Sequence, residues 1–391
     1  MKIAIVTGSR ADYGLLYPLI IELQKDDIFK VSLIVTGMHL SKEHGYTLDN
    51  IKRDGIKIEY TVDLEQQGDS TMDVSRAISK GIEGFSNVFE HNPFDLVLIL
   101  GDRYELWSVC LAAVLYHIPI AHIHGGEATE GAMDEYIRHS ITKLSAIHFP
   151  SIKIYGDRII QMGENPNRVH VVGALGIDNI KNTELMSIYE LSEHLNFDFS
   201  NNQVALLTYH PVTMEDYAES AKQITEILEA VSKTQLKALV TMPNSDMGGL
   251  EIYKKIQTYT TNMPEKFILL KNLGQKAYLS AMKHSKLMIG NSSSGIIESA
   301  SFKLPVVNIG TRQAGRLKPV NVVDCSCEEE SIAEAINYAL SDEFYSKIQS
   351  IENPYGDGNT AKKIVNILRQ YACYDKKELV LKKFYNISIG K

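Results

Sequence analysis

Short apolar runs and longer amphipathic segments alternate from one end of this chain to the other. Six runs in the first half have strand length: 2–7, 30–35, 56–62, 95–100, 119–123 and 146–149. Six more follow at 203–208, 236–241, 266–270, 286–289, 305–308 and 320–323. Runs such as IAIV, LVLIL and PIAHI are apolar at successive positions, as parallel strands covered by helices on both faces must be. Between them, segments 71–91, 104–116, 214–232 and 328–340 have helical length and spacing. The pattern is βαβ repeated, and it predicts an α/β protein with two doubly wound sheets. The polar stretch 180–202, ending in FDFSNNQ, is the expected seam between a first domain of 1–180 and a second of 181–358. NPYGDG at 353–358 interrupts the alternation, and the final segment, 359–391, is expected to run as a helix back onto the first domain.

A length of 391 residues is too great for one ordinary core, which agrees with two domains. Apolar content of 44% and charged content of 23% are those of a soluble globular protein. The net charge of −8 argues against broad nucleic-acid binding and leaves room for a local basic pocket. No run approaches the roughly 18 apolar residues of a membrane helix. The opening MKIAIVTGSR is too short for a signal peptide and reads as a buried first strand. Cys110, Cys325, Cys327 and Cys373 are few and unevenly placed, so reduced thiols in a cytoplasmic protein are expected.

In open α/β sheets the ligand lies beyond the carboxyl ends of the strands, so the residues after each strand matter most. GSRADYG, with Gly8, Arg10 and Asp12, follows the first run, and Gly101-Asp102-Arg103 follows 95–100. HIHGGEATEGAMDEYIRH, 122–139, follows 119–123, and YHP with His210 follows 203–208. GNSSSGIIE, 290–298, and GTRQAGR, 310–316, end two later strands. In GNSSSGIIE the free N–H groups of a helix start and three serine hydroxyls suit a phosphate, whereas a plain N-cap needs one serine. Glu298, about a turn into that helix, could accept from ribose hydroxyls or stand as a surface glutamate. Arg10, Arg103, Arg312 and Arg316 bring four cations from three strand ends, and the guanidinium fork suits a diphosphate. There is no Walker lysine, and the glycine spacing of GSRADYG is not the dinucleotide fingerprint.

Asp102 follows a fully apolar strand, a position suited to proton transfer or to capping the next helix. His122 and His124 are two apart and could share a face. Zinc would need further ligands, and nothing nearby completes a set, so no metal is expected. His122 reads as a core or hydrogen-bonding residue. His210 holds the matching position in the second domain. His39 and His44 fall in a polar loop, and His139 and His148 read as packing or orienting residues. Around them stand Glu127, Glu130, Asp134, Glu135 and Arg138.

With TGSRADYG, LGDRYE, HIHGGE, DEYIRHSITKL, GNSSSGIIE and NIGTRQAGR in this order, the chain resembles the hydrolysing UDP-N-acetylglucosamine 2-epimerases over nearly its whole length. The resemblance implies a GT-B-type architecture, two Rossmann-like domains facing across a cleft. It implies conversion of UDP-GlcNAc to UDP and N-acetylmannosamine for sialic-acid-type sugar synthesis, without metal or NAD, by a homodimer or homotetramer. Asp102 and Asp134 match acid–base carboxylates, and His210 matches a catalytic histidine. Arg10, Ser292, Ser293, Glu298 and Arg312 match nucleotide-binding positions, with Arg103 close by. His124 stands where many relatives carry a catalytic glutamate, so either Glu127 supplies the carboxylate or His124 moves the proton itself. Gly125 and Gly126 would let the backbone approach the sugar. Relatives acting on UDP-2,4-diacetamido-2,4,6-trideoxyglucose or a GDP-linked aminosugar share most of these motifs. A GT-B glycosyltransferase, a non-hydrolysing epimerase and a nucleotide-sugar binding protein are the rivals.

Overall fold

The computed structural model describes the chain except residues 42–46, 67, 69, 130–132, 213–216, 244–248, 271–272 and 388–391. His44, Glu130 and the start of segment 214–232 lie outside the described residues. Each of the twelve expected strands forms. In the first half they are β1 (Lys2–Thr7), β2 (Lys30–Thr36), β3 (Ile58–Val62), β4 (Leu96–Leu100), β5 (Ile120–Ile123) and β6 (Ile147–Phe149). In the second they are β7 (Val204–Thr208), β8 (Lys237–Thr241), β9 (Phe267–Leu270), β10 (Leu287–Gly290), β11 (Val306–Ile309) and β12 (Val322–Cys325).

The two sheets have one topology. The first runs β3-β2-β1-β4-β5-β6 and the second β12-β11-β10-β7-β8-β9, all parallel. Numbered within its own sheet, each is the 3-2-1-4-5-6 order of a Rossmann-like domain. Its strand order therefore reverses between β1 and β4 in one sheet and between β7 and β10 in the other. Period-two alternation sends successive residues to opposite faces, and both faces are dry. Ile3, Ile5, Leu96 and Leu98 join one core cluster, while Ala4, Val6, Val97 and Ile99 join the cluster behind them. In the second sheet Ala205, Leu207, Leu287 and Ile289 face one cluster, and Val204, Leu206 and Met288 the other.

The chain divides into two compact units. One comprises Met1–Glu127, Asp134–Asn179 and Gly356–Lys391, the other Ala128–Met133 and Ile180–Tyr355. Within the first, helix Thr360–Tyr371 has no side-chain cap from its own N-terminal residue. Asp178 caps it instead, accepting from Thr360 N at 2.9 Å and Ala361 N at 2.8 Å. The polar stretch after 180 carries a short helix, Ile188–Leu195, opened by a Ser187–Glu190 capping box. Among the described residues no helix is long and apolar enough to cross a membrane.

Candidate active site

At the reversal point of the first sheet, β1 runs through Gly8 into helix Arg10–Gln24. Ser9 and Asp12 form a capping box there, and Asp12 Oδ2 accepts from Gly8 N and Ser9 N at 2.9 Å each. Burial raises the Asp12 carboxyl to about 6, opposed by Arg103 and reinforced by Glu105. Arg103 Nε donates to Glu105 Oε1 at 2.7 Å, and Glu105 is buried at the first turn of helix Glu105–Leu115. That carboxylate pushes the Arg103 guanidinium even further from losing its proton. Arg10 is the exposed first residue of its helix. His39 corrects its sequence reading: it is buried, not in a polar loop, with Nε2 3.1 Å from Thr7 Oγ1 and Nδ1 2.7 Å from Thr47 Oγ1. Burial lowers it to about 4, so it is neutral near pH 7.

One strand over, at β4 and β5, Arg138 is the hub. It is only 1% exposed, on helix Met133–Leu144. Its guanidinium donates to Asp102 Oδ2, to Glu135 Oε2 at 2.9 Å and to the Glu127 carbonyl at 3.1 Å. Glu135 Oε1 lies 2.9 Å from His139 Nε2, so carboxylates and cation form one chain. A buried guanidinium with several acceptors fixes each of them, since breaking the set would leave charge unpaired. Asp134 is exposed in the first turn of the same helix, four residues before Arg138 and hence on its face.

The loop after β5 is pinned as tightly. His122 is fully buried, donates from Nε2 to the Gly101 carbonyl at 2.8 Å, and is lowered by burial to about 3. His124 does not share its face, because it leaves the strand in the left-handed region at φ +66. Its Nδ1 is 3.0 Å from Glu127 Oε1, and its buried Nε2 has no partner among the described residues. Glu127, itself buried, also accepts from Ser151 Oγ at 3.3 Å. Arg158 donates to the Gly126 carbonyl. The glycines have a reason inside the protein. A Cβ at Gly126, where φ is +76, would stand 2.3 Å from the Tyr155 carbonyl oxygen, and one at Gly125 would stand 2.9 Å from His122 Nδ1.

In the second unit the reversal point is held by Asn291. Its side chain accepts from His210 N and donates to the His210 carbonyl, both at 2.8 Å. Its own carbonyl takes Arg312 NH1 at 3.1 Å and Gln313 Nε2 at 2.8 Å. Burial, aided by the Arg312 charge, lowers His210 to about 3, so the imidazole is neutral. Gly290 at φ +128 permits the approach of β7, since a Cβ would fall 1.9 Å from the Thr208 carbonyl oxygen. Ser292 caps the next helix by accepting from Ser294 N, and Ser293 is its first residue. That helix is shorter than expected, Ser293–Ile297, and Glu298 is its C-cap, not a residue a turn inside. A five-residue helix carries little macrodipole, so any anion there would rely on N–H groups, hydroxyls and Arg312. Burial raises Glu298 to about 7 against a hydrogen bond from Ser294.

Arg138, Glu105, Ser151 and Asn291 were not singled out for a role from sequence, though all but Ser151 fall inside quoted motifs. Among the described residues, no three His, Cys, Asp or Glu side chains are placed to hold a metal ion.

Two Rossmann-like sheets, each ending in polar residues at its reversal point, define a fold of GT-B type. The chain belongs to the UDP-N-acetylglucosamine 2-epimerase family, whose model matches residues 21–369. It is 40% identical over 344 residues to the GDP/UDP-N,N'-diacetylbacillosamine 2-epimerase (hydrolyzing) of Campylobacter jejuni, covering 88% of each chain. It is 36% identical over 388 residues to polysialic acid biosynthesis protein P7 of Escherichia coli, covering 99% of this chain and 97% of that one. Among solved structures, UDP-GlcNAc 2-epimerase from Neisseria meningitidis bound to UDP-GlcNAc superposes with a TM-score of 0.83. That match covers 95% of this chain and 100% of the other at 24% identity, a likeness of fold.

Proposed function

We propose that the chain is a cytoplasmic hydrolysing 2-epimerase, converting a UDP-linked 2-acetamido sugar to UDP and the free 2-epimeric sugar. In the α-linked sugar nucleotide the C1–O and C2–H bonds are trans and axial. A base takes the C2 proton, those electrons form the C1–C2 double bond, and the C1–O pair leaves with UDP. Water then adds, its oxygen to C1 and a proton to C2 from the other face, giving the manno product. The C2 proton is weakly acidic, so proton removal and leaving-group stabilisation must act together.

The observation that carries this reading is the clustering of Asp102, Glu135, His124 and Glu127 around buried Arg138, with Asp134 on the same helix. His124 and Glu127 stand as a pair rather than as alternatives. Glu127 accepts from Nδ1–H, which leaves a lone pair on Nε2, without a partner among the described residues, to take or return a proton. Asp102 and Asp134 are the other acid–base carboxylates, and neutral His210 is a further proton carrier. In the second unit Arg312, Ser292 and Ser293 would meet the diphosphate and Glu298 the ribose; in the first, Arg10 and Arg103 are the candidate anion contacts.

UDP-GlcNAc yielding N-acetylmannosamine is the first substrate to try. The likeness to the Campylobacter jejuni enzyme favours a second, UDP-2,4-diacetamido-2,4,6-trideoxyglucose. Proton NMR in D2O on each substrate tests both, with free UDP and a C2-deuterated 2-epimer expected and no loss in EDTA. A sugar that keeps its UDP would mean a non-hydrolysing epimerase. Turnover only with an added acceptor would mean a glycosyltransferase, and none at all a binding protein.

A further inference from the structure

We propose that Glu105 is a positioning residue, holding the Arg103 guanidinium by its Nε edge so that the terminal nitrogens face the substrate's diphosphate. The proposal rests on the reading above that Arg103 is an anion contact. Glu105 is 1% exposed. A carboxylate so buried is costly unless a cation meets it, and here the cation is Arg103, at 2.7 Å through Nε. The Arg103 side chain is itself 38% exposed. Among the described residues, the one further acceptor its terminal nitrogens reach is the weak Met38 Sδ, 3.4 Å from NH2. The end of the fork that suits a phosphate is therefore the end the protein leaves lightly used.

The surroundings are cut to fit this carboxylate. A Cβ at Gly8 would lie 2.7 Å from Glu105 Oε1, and one at Gly37 would lie 3.1 Å from it. The turns after β1 and β2 are thus both reduced to glycine around the same oxygen. Glu105 also opens helix Glu105–Leu115, where the N-terminal N–H groups favour an anion. The pair sits where the first sheet reverses its strand order, the place at which open α/β sheets bind ligands.

The test is a double-mutant cycle on the full chain: wild type, Glu105→Gln, Arg103→Met and the double variant. UDP, with GDP in parallel, is titrated calorimetrically, and thermal unfolding without ligand reports on the fold. Arg103→Met and Glu105→Gln should each weaken diphosphate binding about tenfold or more, the cost of a charged hydrogen bond. In the Arg103→Met background, Glu105→Gln should add less than about twofold, as expected of a residue that acts only through the arginine. Glu105→Asp keeps the charge but shortens the reach, and it should weaken binding likewise if Glu105→Gln does not fold. An equal loss in both backgrounds, or wild-type binding by both folded Glu105 variants beside a weakened Arg103→Met, would overturn the role of Glu105 and leave Arg103 as a contact. Wild-type binding by Arg103→Met would remove the anion contact and Glu105's role with it. Turnover of the wild type is read separately, so a protein that binds UDP through Arg103 yet releases no free sugar would fail only as an epimerase.

Discussion

The two units share a strand order but treat buried charge differently at the point where that order reverses. In the first, buried Glu105 is met by Arg103, and Arg138 gathers Asp102 and Glu135 one strand away. In the second, the reversal point is held by the neutral side chain of Asn291, and among the described residues no ion pair reaches Glu298. The electrostatic result follows: burial carries the Glu298 carboxyl up to about 7, with only a hydrogen bond from Ser294 opposing it among the described residues. Strand order therefore fixes where polar groups gather, and the particular side chains decide whether a carboxylate there meets a cation.

The largest expected effect breaks the first arrangement at its proton carriers. Glu127→Gln and His124→Ala should each lower kcat by about a hundred- to ten-thousand-fold while leaving the UDP affinity measured by calorimetry within about twofold. Because His124 and Glu127 pair at 3.0 Å, the double variant should be little worse than either single one. Multiplying losses would separate the two into independent groups, and near wild-type rates in both would leave Asp102, Asp134 and His210 to carry the reaction.

Arg138→Met comes next and is read as stability. Removing the guanidinium leaves Asp102 and Glu135 without their shared cation; both are partly exposed, so the loss should fall below the roughly 3–5 kcal/mol of a fully buried pair. Urea unfolding should show a midpoint well below wild type. Asn291→Leu removes only hydrogen bonds and should cost less. Equal losses would mean that the charged and neutral centres are equivalent supports.

A smaller effect belongs to the second unit. Arg312→Ala and Ser292→Ala should weaken UDP binding by roughly 1.5–3 kcal/mol, the worth of hydrogen bonds to a charged group. Turnover at saturating substrate should fall as well, because the same contacts would stabilise the departing diphosphate. Unchanged affinity in both would remove the diphosphate from this helix start.

The sheets were legible because strands buried on both faces are written as unbroken apolar runs, and LVLIL needs no context to be read. Residues whose role comes from partners far along the chain were not legible. Arg138 lies in an amphipathic helix where an arginine ordinarily faces water, and its partner Asp102 is 36 residues earlier. His39 looked solvated among polar neighbours, yet Thr7 and Thr47 enclose it. The serines of GNSSSGIIE suggested a full helix, but it closes at Ile297 into a tighter turn, Ser299–Phe302, with Lys303 left-handed behind it. At Gly125 and Gly126 the His122 ring and the Tyr155 carbonyl require glycine, which HIHGGE alone does not reveal.

The smallest expected effect sharpens the contrast between Glu105 and Glu298. The folded Glu298 carboxyl titrates near 7, above the ordinary glutamate value of about 4.3. Between those two values the folded chain holds a proton that the unfolded chain has released. Stability from this group is therefore fully present below about 4.3 and is lost as pH rises through about 7. Glu298→Gln, which stays neutral, has nothing to lose across that window. Wild type should fall further than the variant between pH 5 and pH 8, by a few °C in Tm, because the group is partly exposed and water weakens the penalty. Glu105→Gln gives the opposite sense of comparison, since it removes the charge that Arg103 needs and should lower Tm across the whole range. Parallel Tm–pH curves for wild type and Glu298→Gln would mean that Glu298 meets a cation after all, and the two reversal points would then handle charge alike.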